Sequence, residues 1–276
     1  MLGAIIGDMI GSVYESKNLK SKSFPLFNKH NRMTDDSYLT IAVAEVLLKH
    51  YPLKYDDVSV KAIQEDLINN FTIKYKNHLY AGWGKYFSDW AKLPKDIKKP
   101  YYSFGNGGAM RVSPVGWLAK SEEEVKVLSR IVTEITHNHP EGLKSAEAVA
   151  MCIYLARTGK SKDEIKSYVI TNYYPQIANL DYQTLVDTYT FDVTAQNSVP
   201  QAIYCFLIST DFIDAIRTSV SIGGDCDTMT SITTAIAEAS YQNESTSEFE
   251  QQFLYLFIES SIENKINEFQ HIVKNK

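Results

Sequence analysis

Gly223-Gly224-Asp225-Cys226-Asp227-Thr228 is the stretch on which the reading of this chain turns. Met229, Ile232, Ile236 and Ala239 follow it at helical spacing, so the stretch opens a helix. One carboxylate or hydroxyl there would be an ordinary cap, satisfying free N–H groups and complementing the positive end of the helix dipole. Here two glycines bring the backbone in, and Asp225, Asp227 and Thr228 present two carboxylates and a hydroxyl within four residues. Capping needs only one such side chain.

A second stretch of the same character, Thr34-Asp35-Asp36-Ser37, precedes Leu39, Ala42, Val43, Val46 and Leu47, again at helical spacing. Alone, it reads equally well as a cap. Hard divalent cations such as Mg2+ take carboxylate, hydroxyl and water oxygens, so two such clusters together suggest an oxygen-only site for one or two ions. The clusters lie far apart in the chain, and one site built from both requires the chain to fold as a unit around it. No Pro/Ser-rich linker, charge block or repeat divides the sequence, and 276 residues suffice for a substantial core. Residues 1–276 are read as a single domain.

Outward from these clusters, the first helix carries Leu2, Ile5, Ile6, Met9, Ile10 and Val13 on a broad apolar face, with Gly3, Gly7 and Gly11 in one row. Each interior glycine costs about 1 kcal/mol relative to alanine, which close approach of another backbone would offset. Asp8 and Glu15 are placed to face whatever the glycines admit. Further helices are expected at 35–50, 56–72, loosely 76–91, 109–119, 122–135, 141–158, 161–172, 196–209, 211–221, 226–241 and 247–268, with 172–195 the least regular part. Trp83, Tyr86, Phe87 and Trp90 repeat at i+3 and i+4 and are read as core. No segment alternates with period two. The expected fold is all-α, a compact orthogonal multi-helix bundle with its site where helix ends converge.

Gly105-Asn106-Gly107-Gly108 precedes an apolar helical run and reads either as a plain turn or as a source of open N–H groups for phosphate. It has neither P-loop nor dinucleotide-fold spacing. Arg111, just after it, is expected to brace the turn from behind. His137 and His139 lack a third nitrogen or sulfur ligand nearby, which argues against zinc. The net charge of −5, with lysines clustered only at 17–22 and 95–99, gives no nucleic-acid groove. Cys152, Cys205 and Cys226 are odd in number and widely spaced, the pattern of free thiols in a reducing, cytoplasmic setting. No basic leader precedes the first helix and no apolar run is long enough to span a bilayer.

Taken in order, Gly3-Ala4-Ile5-Ile6-Gly7-Asp8 with Tyr14-Glu15, Thr34-Asp35-Asp36-Ser37, Gly105-Asn106-Gly107-Gly108-Ala109-Met110-Arg111, Thr136-His137 and Gly223-Gly224-Asp225-Cys226-Asp227-Thr228 are similar to the motifs of one family. That family is the ADP-ribosylglycohydrolases related to the enzyme that removes ADP-ribose from dinitrogenase reductase. The resemblance runs from Met1 to about Tyr241. Ser37 and Cys226 each stand where the family usually has threonine, and neither change removes a carboxylate.

The resemblance implies a hydrolase that cleaves the N- or O-glycosidic bond of ADP-ribosylated side chains, using two Mg2+ with Mn2+ as an alternative. The implied metal ligands are Thr34, Asp35, Asp36, Asp225, Asp227 and Thr228. The water-activating carboxylate would be Asp36 or Asp35, with Glu15 as a gate or second base. Glu15, Phe104, Gly105, Asn106, Gly107, Gly108, Met110, His137, Gly223 and Gly224 would contact the ADP-ribose moiety, the glycine turn taking the diphosphate and distal ribose. The expected partner is an ADP-ribosyl group on a protein or small molecule, with no nucleic acid or membrane, and the protein a monomer. Two other outcomes fit the same motifs: hydrolysis of free ADP-ribose derivatives such as O-acetyl or 1''-phosphate esters, and a non-catalytic binding or structural relative.

Overall fold

A computed structural model describes the backbone of all 276 residues and every side chain except that of Glu244. The chain forms α1 (Leu2–Gly11), α2 (Asp35–Lys49), α3 (Asp57–Asn77), α4 (Lys85–Lys92), α5 (Ser113–Leu118), α6 (Glu122–Thr133) and α7 (Pro140–Arg157). These are followed by α8 (Lys162–Asn172), α9 (Tyr182–Thr188), α10 (Ala195–Ile208), α11 (Phe212–Ile222), α12 (Cys226–Ser240), α13 (Glu244–Phe257) and α14 (Ser260–Lys274). The described residues contain no strand, only an isolated antiparallel bridge between Gly105 and Thr194. The fold is all-α, as periodicity predicts.

The core is organised on α1 and α12. Every residue of α1 is buried, as is all of α12 up to Ala239. A helix buried all round needs apolar or small residues on every side, and the glycine row of α1 meets this need against a second backbone. A Cβ on Gly3 would lie 2.5 Å from the Thr234 carbonyl, and one on Gly11 2.5 Å from that of Cys226. One on Gly7 would collide with Thr230 and Thr234. The pairing descends along α12 as it ascends along α1, so the helices are antiparallel. The C-terminal end of α1, with Glu15 just beyond it, therefore lies beside the N-terminus of α12.

Four sequence expectations are corrected. The single helix expected at 247–268 is two, α13 and α14, broken at Ile258 and Glu259, which are both extended. Phe253 of α13 enters the core, while α14 lies along α2 through a Lys265–Glu45 ion pair. Neither glycine nor proline marks that break. The loose helix at 76–91 is confined to α4, because Gly82 (φ +91°) and the extended Gly84 end it on the N-terminal side. The run 109–119 is a 3-10 turn, Asn106–Arg111, followed by the short α5. The segment 172–195, read as the least regular part and assigned no helix, contains the short α9.

Among the described residues, no helix is long and apolar enough to cross a membrane. The three cysteines are buried and unpaired.

Candidate active site

The two acidic stretches meet. Thr228 at the start of α12 donates its hydroxyl to Asp36 Oδ2 of α2 at 3.2 Å. Carboxylate oxygens of Asp8, Asp36 and Asp227 lie within 4.8 Å of one another, as do those of Glu15, Asp225 and Asp227, so Asp227 belongs to both groups. Among the described residues, none of these carboxylates, nor Asp35, ion-pairs with a lysine or arginine.

The cost of that crowding is visible in the proton affinities. Burial pushes the Asp35 carboxyl up to about 8, with the Asp8 charge adding to it. Burial and neighbouring charges also hold Asp36 and Asp227 well above the usual carboxylate range. Asp225 rises only to about 6, because the burial effect is partly offset by a hydrogen bond from Asn106. Repelling, unpaired carboxylates in one buried place are what a bound cation would stabilise.

Two further observations test the fit of a hard cation. Every ligand candidate offers oxygen, the donor set of Mg2+ or Mn2+ and not of zinc in a sulfur or imidazole site. Asp36 Oδ1 is sealed from solvent and has no hydrogen-bond donor. A buried anionic oxygen without a partner is costly, and a metal ion in contact with it removes the deficit. Thr34, Asp35, Asp36, Asp225, Asp227, Thr228 and Glu15 fit that group.

Asp8 plays a different part. Its Oδ2 accepts from the backbone N–H of Thr34 at 2.9 Å and of Ser37 at 3.1 Å, and from the Ser37 hydroxyl. Its Oδ1 accepts the Thr34 hydroxyl at 2.6 Å. Both oxygens are committed to the N-terminus of α2, so Asp8 orients that helix and its Thr34 hydroxyl. The sequence places Asp8, like Glu15, towards whatever the glycine row admits, and the resemblance names it neither as ligand nor as base.

The carboxylates form one end of a cavity of about 430 Å3, a size suited to a nucleotide-like ligand. Of the residues implied by the resemblance, Glu15, Asp35, Asp36, Gly105, Asn106, Gly107, Met110, His137, Asp225, Asp227 and Thr228 line it. Asn106 donates to Asp225 at 2.6 Å and so ties the glycine turn to the acidic end. The His137 ring stands beside Gly107, with Nε2 3.1 Å from where a Cβ would sit.

Others lie outside the lining. Thr34 is buried behind it, held by Asp8. Gly108 packs on Thr133, where a Cβ would come within 2.8 Å of the side chain. Gly223 (φ +71°) and Gly224 (φ +83°) make the left-handed turn into α12, with Gly224 against Tyr189. Phe104 is 47% exposed and meets His139 edge-on at 5.5 Å. Tyr86, expected in the core, is 76% exposed and lines the cavity with Tyr101 and Phe191, while Phe87 and Trp90 are buried as expected. Their spacing along the chain does not distinguish a cavity wall from a core, because both are apolar. Arg111 is fully buried, donating through Nη2 to Thr136 Oγ1 at 2.6 Å and lying over the Phe71 ring at 4.7 Å.

Comparison with known proteins agrees with this geometry. The chain is 26% identical over 335 residues to the ADP-ribosylhydrolase ARH3 of Mus musculus, covering 95% of this chain and 88% of that one. It is 25% identical over 324 residues to the ADP-ribosylhydrolase ARH3 of Homo sapiens, covering 91% and 87%. In fold it is similar to a solved structure described as an ADP-ribosylglycohydrolase-related protein complex, with TM-score 0.58, 20% identity, and 93% and 96% of the two chains covered. The sequence profile of the family described as ADP-ribosylglycohydrolase matches residues 1–245, and the chain belongs to that family.

Proposed function

We propose that this protein hydrolyses the glycosidic bond between ADP-ribose and a protein side chain or small-molecule group, with two Mg2+ or Mn2+ held by Thr34, Asp35, Asp36, Asp225, Asp227 and Thr228. The observation that carries this reading is the group of Glu15, Asp225 and Asp227 beside the partnerless Asp36 Oδ1, at the end of a cavity whose wall includes the Gly105–Gly107 turn. Bound there, the ions would grip vicinal ribose hydroxyls and acidify a water.

The chain's own residues do the remaining work. The glycine turn and His137 hold the nucleotide end, so the anomeric carbon is presented to the acidic end. Asn106 keeps Asp225 ionised and fixed in direction through its 2.6 Å hydrogen bond. Both carboxylates line the cavity, but Asp36 is buried, with Oδ2 taking the Thr228 hydroxyl and Oδ1 sealed from solvent, whereas Asp35 is half-buried, which makes Asp35 the better-placed carboxylate to take a proton from water. Glu15, at the edge of the acidic end, serves as gate or second base. Departure of the leaving group through an oxocarbenium-like state needs negative charge close to the sugar, and these carboxylates supply it.

A panel of arginine-linked, serine-linked, O-acetyl and 1''-phosphate ADP-ribose conjugates, assayed with Mg2+, Mn2+ and chelator, tests the reading. Metal-dependent release of ADP-ribose from a side-chain conjugate supports it. Turnover of the free esters alone points to a hydrolase of ADP-ribose derivatives. ADP-ribose binding without any turnover points to a non-catalytic relative.

A further inference from the structure

Arg111 is an unusual expense. It is a fully buried cation whose Nε and Nη1 have no hydrogen-bond partner, and among the described residues its one recorded hydrogen bond goes to Thr136. A buried charge so poorly paired costs stability, which directs attention to what that single bond does. A guanidinium only donates. The 2.6 Å contact therefore places an Arg111 N–H on a lone pair of Thr136 Oγ1. The same oxygen lies 2.8 Å from His137 Nδ1. Thr136 is itself fully buried; Nδ1 is the acceptor at 2.8 Å from its hydroxyl, and the Tyr101 hydroxyl, which also interacts with Thr136, can donate as well as accept. If Nδ1 carried a proton, the Thr136 hydroxyl hydrogen would have only Tyr101 to turn to. The arrangement that uses both short contacts has Arg111 donating to Thr136, Thr136 donating to Nδ1, and the ring's own proton on Nε2.

We propose that Arg111 and Thr136 are positioning residues that lock His137 as its neutral, Nε2-protonated tautomer, so that Nε2–H is donated to a ligand oxygen held at the Gly105–Gly107 turn. Nε2 would lie 3.1 Å from a Cβ on Gly107 and 3.7 Å from one on Gly105, and the ring lines the cavity. The backbone fixes the segment from both sides: His137 N–H donates to the Thr133 carbonyl at 2.9 Å, and Tyr101 N–H to that of Thr136 at 3.3 Å. The charged and titratable groups facing the ring are the Arg111 guanidinium from the 3-10 turn and Tyr101, whose ring stands edge-on at 5.9 Å. The Asp35 charge reaches Arg111 and Tyr101 but is not among the influences on the His137 ring itself. Burial and the Arg111 charge both hold His137 well below its usual pKa, in keeping with a ring that stays neutral. Beside this turn, a neutral N–H donor suits a phosphate or hydroxyl oxygen and does not switch off as pH rises. The donor role rests on the ADP-ribose reading above; the tautomer does not.

Nitrogen-15 NMR of the histidine rings in the full-length protein tests both parts. The free protein should show His137 with Nδ1 unprotonated and Nε2 protonated, unchanged from about pH 5 to 8, and ADP-ribose should move the Nε2 resonance. Thr136→Ser should preserve this pattern. Thr136→Ala should lose the tautomer preference and bind ADP-ribose about tenfold more weakly by calorimetry. A protonated Nδ1, or a ring that titrates in that range, overturns the relay whether or not ADP-ribose binds, and the wild-type spectrum decides this even if Thr136→Ala fails to fold. ADP-ribose that binds without moving Nε2 overturns the donor role. If no ADP-ribose binds, the proposed function falls, and the free-protein spectrum still decides the relay.

Discussion

The N-termini of α2 and α12 carry nearly the same chemistry and use it differently. At α2, Thr34 is the N-cap and accepts the Asp36 N–H, while Asp8, from another helix, takes the Thr34 and Ser37 N–H groups. The free amides of that helix are satisfied from within the fold, so Asp35 and Asp36 are surplus to capping. At α12 the N-cap residue Asp225 makes no side-chain cap at all, its carboxylate being drawn to Asn106 instead. Only Asp227 turns back, accepting the Thr228 N–H at 2.9 Å. A carboxylate at a helix N-terminus is therefore not a cap by default. One terminus outsources capping to Asp8, the other largely forgoes it, and both leave carboxylates facing the same space.

The sharpest way to break this comparison is Asp36→Asn. If Asp36 is surplus to capping and serves the reaction, the variant folds and loses at least about a hundredfold in glycosidic hydrolysis. Rates within a few fold of wild type, measured on the conjugate that wild type cleaves best, would remove Asp36 from the site.

The second effect is on stability. Metal bound only to the folded protein at a hundred times its dissociation constant adds about 2.7 kcal/mol per site, which is roughly 5 to 11 °C in Tm for a chain near this size. Asp225→Asn should erase most of that rise and leave the protein in chelator as stable as wild type or more so, since one repelling charge is gone. The pH dependence has a definite sign. Asp35 at about 8 and Asp225 at about 6 hold protons in the folded state that the unfolded chain, with carboxyls near 3.8, has already released. Their contribution is thus fully present below about pH 4 and is lost as pH rises through 6 to 8. In chelator, Tm should fall across that window; in saturating Mg2+ or Mn2+ the fall should vanish, because the metal favours the deprotonated form. Equal melting curves with and without metal at matched ionic strength would contradict the centre.

Asp8→Ala sharpens the contrast from the capping side. It leaves the N–H and hydroxyl groups of Thr34 and Ser37 without their buried acceptor. Relief of charge repulsion offsets part of this, and a net loss of about 2 kcal/mol, or roughly 4 to 8 °C, is expected in chelator. Asp225→Asn shows no such loss. Were the two variants to behave alike in chelator, the division of labour between the termini would be wrong.

Much of this was legible in the chain. Patterned apolar residues mark most helices, and the glycine row of α1 announces a close backbone, because three interior glycines are otherwise unfavourable. The acidic clusters stand out because they exceed what capping needs. Other features depend on what lies across space. Whether Asp8 ligates or orients is decided by Thr34 and Ser37, far along the chain. Tyr86 and Phe87 are adjacent, aromatic and both in the cavity wall, yet Tyr86 is 76% exposed and Phe87 is buried in the core. The break between α13 and α14 arises because the two halves pack on different partners, with no residue at Ile258 or Glu259 that forbids a helix.

The smallest expected effect concerns Cys226, which interrupts the acidic run at α12. Its neighbours Asp225 and Asp227 face the cavity, whereas Cys226 is 1% exposed and its carbonyl faces Gly11 of α1. Burial, reinforced by the Asp227 charge, pushes the thiol pKa far up, and Cys226 is not part of the cavity lining, so it is not placed as a nucleophile. Cys226→Thr adds a branch and a hydroxyl in the first turn of a helix, where that hydroxyl can bond back to a preceding carbonyl. Stability should change by no more than about 1 kcal/mol. Hydrolysis, the metal-dependent rise in Tm and the Mn2+ affinity should match wild type. A large loss in any of these would mean that the residue between the two aspartates helps to set their direction, and that the N-terminus of α12 is more tightly specified than that of α2.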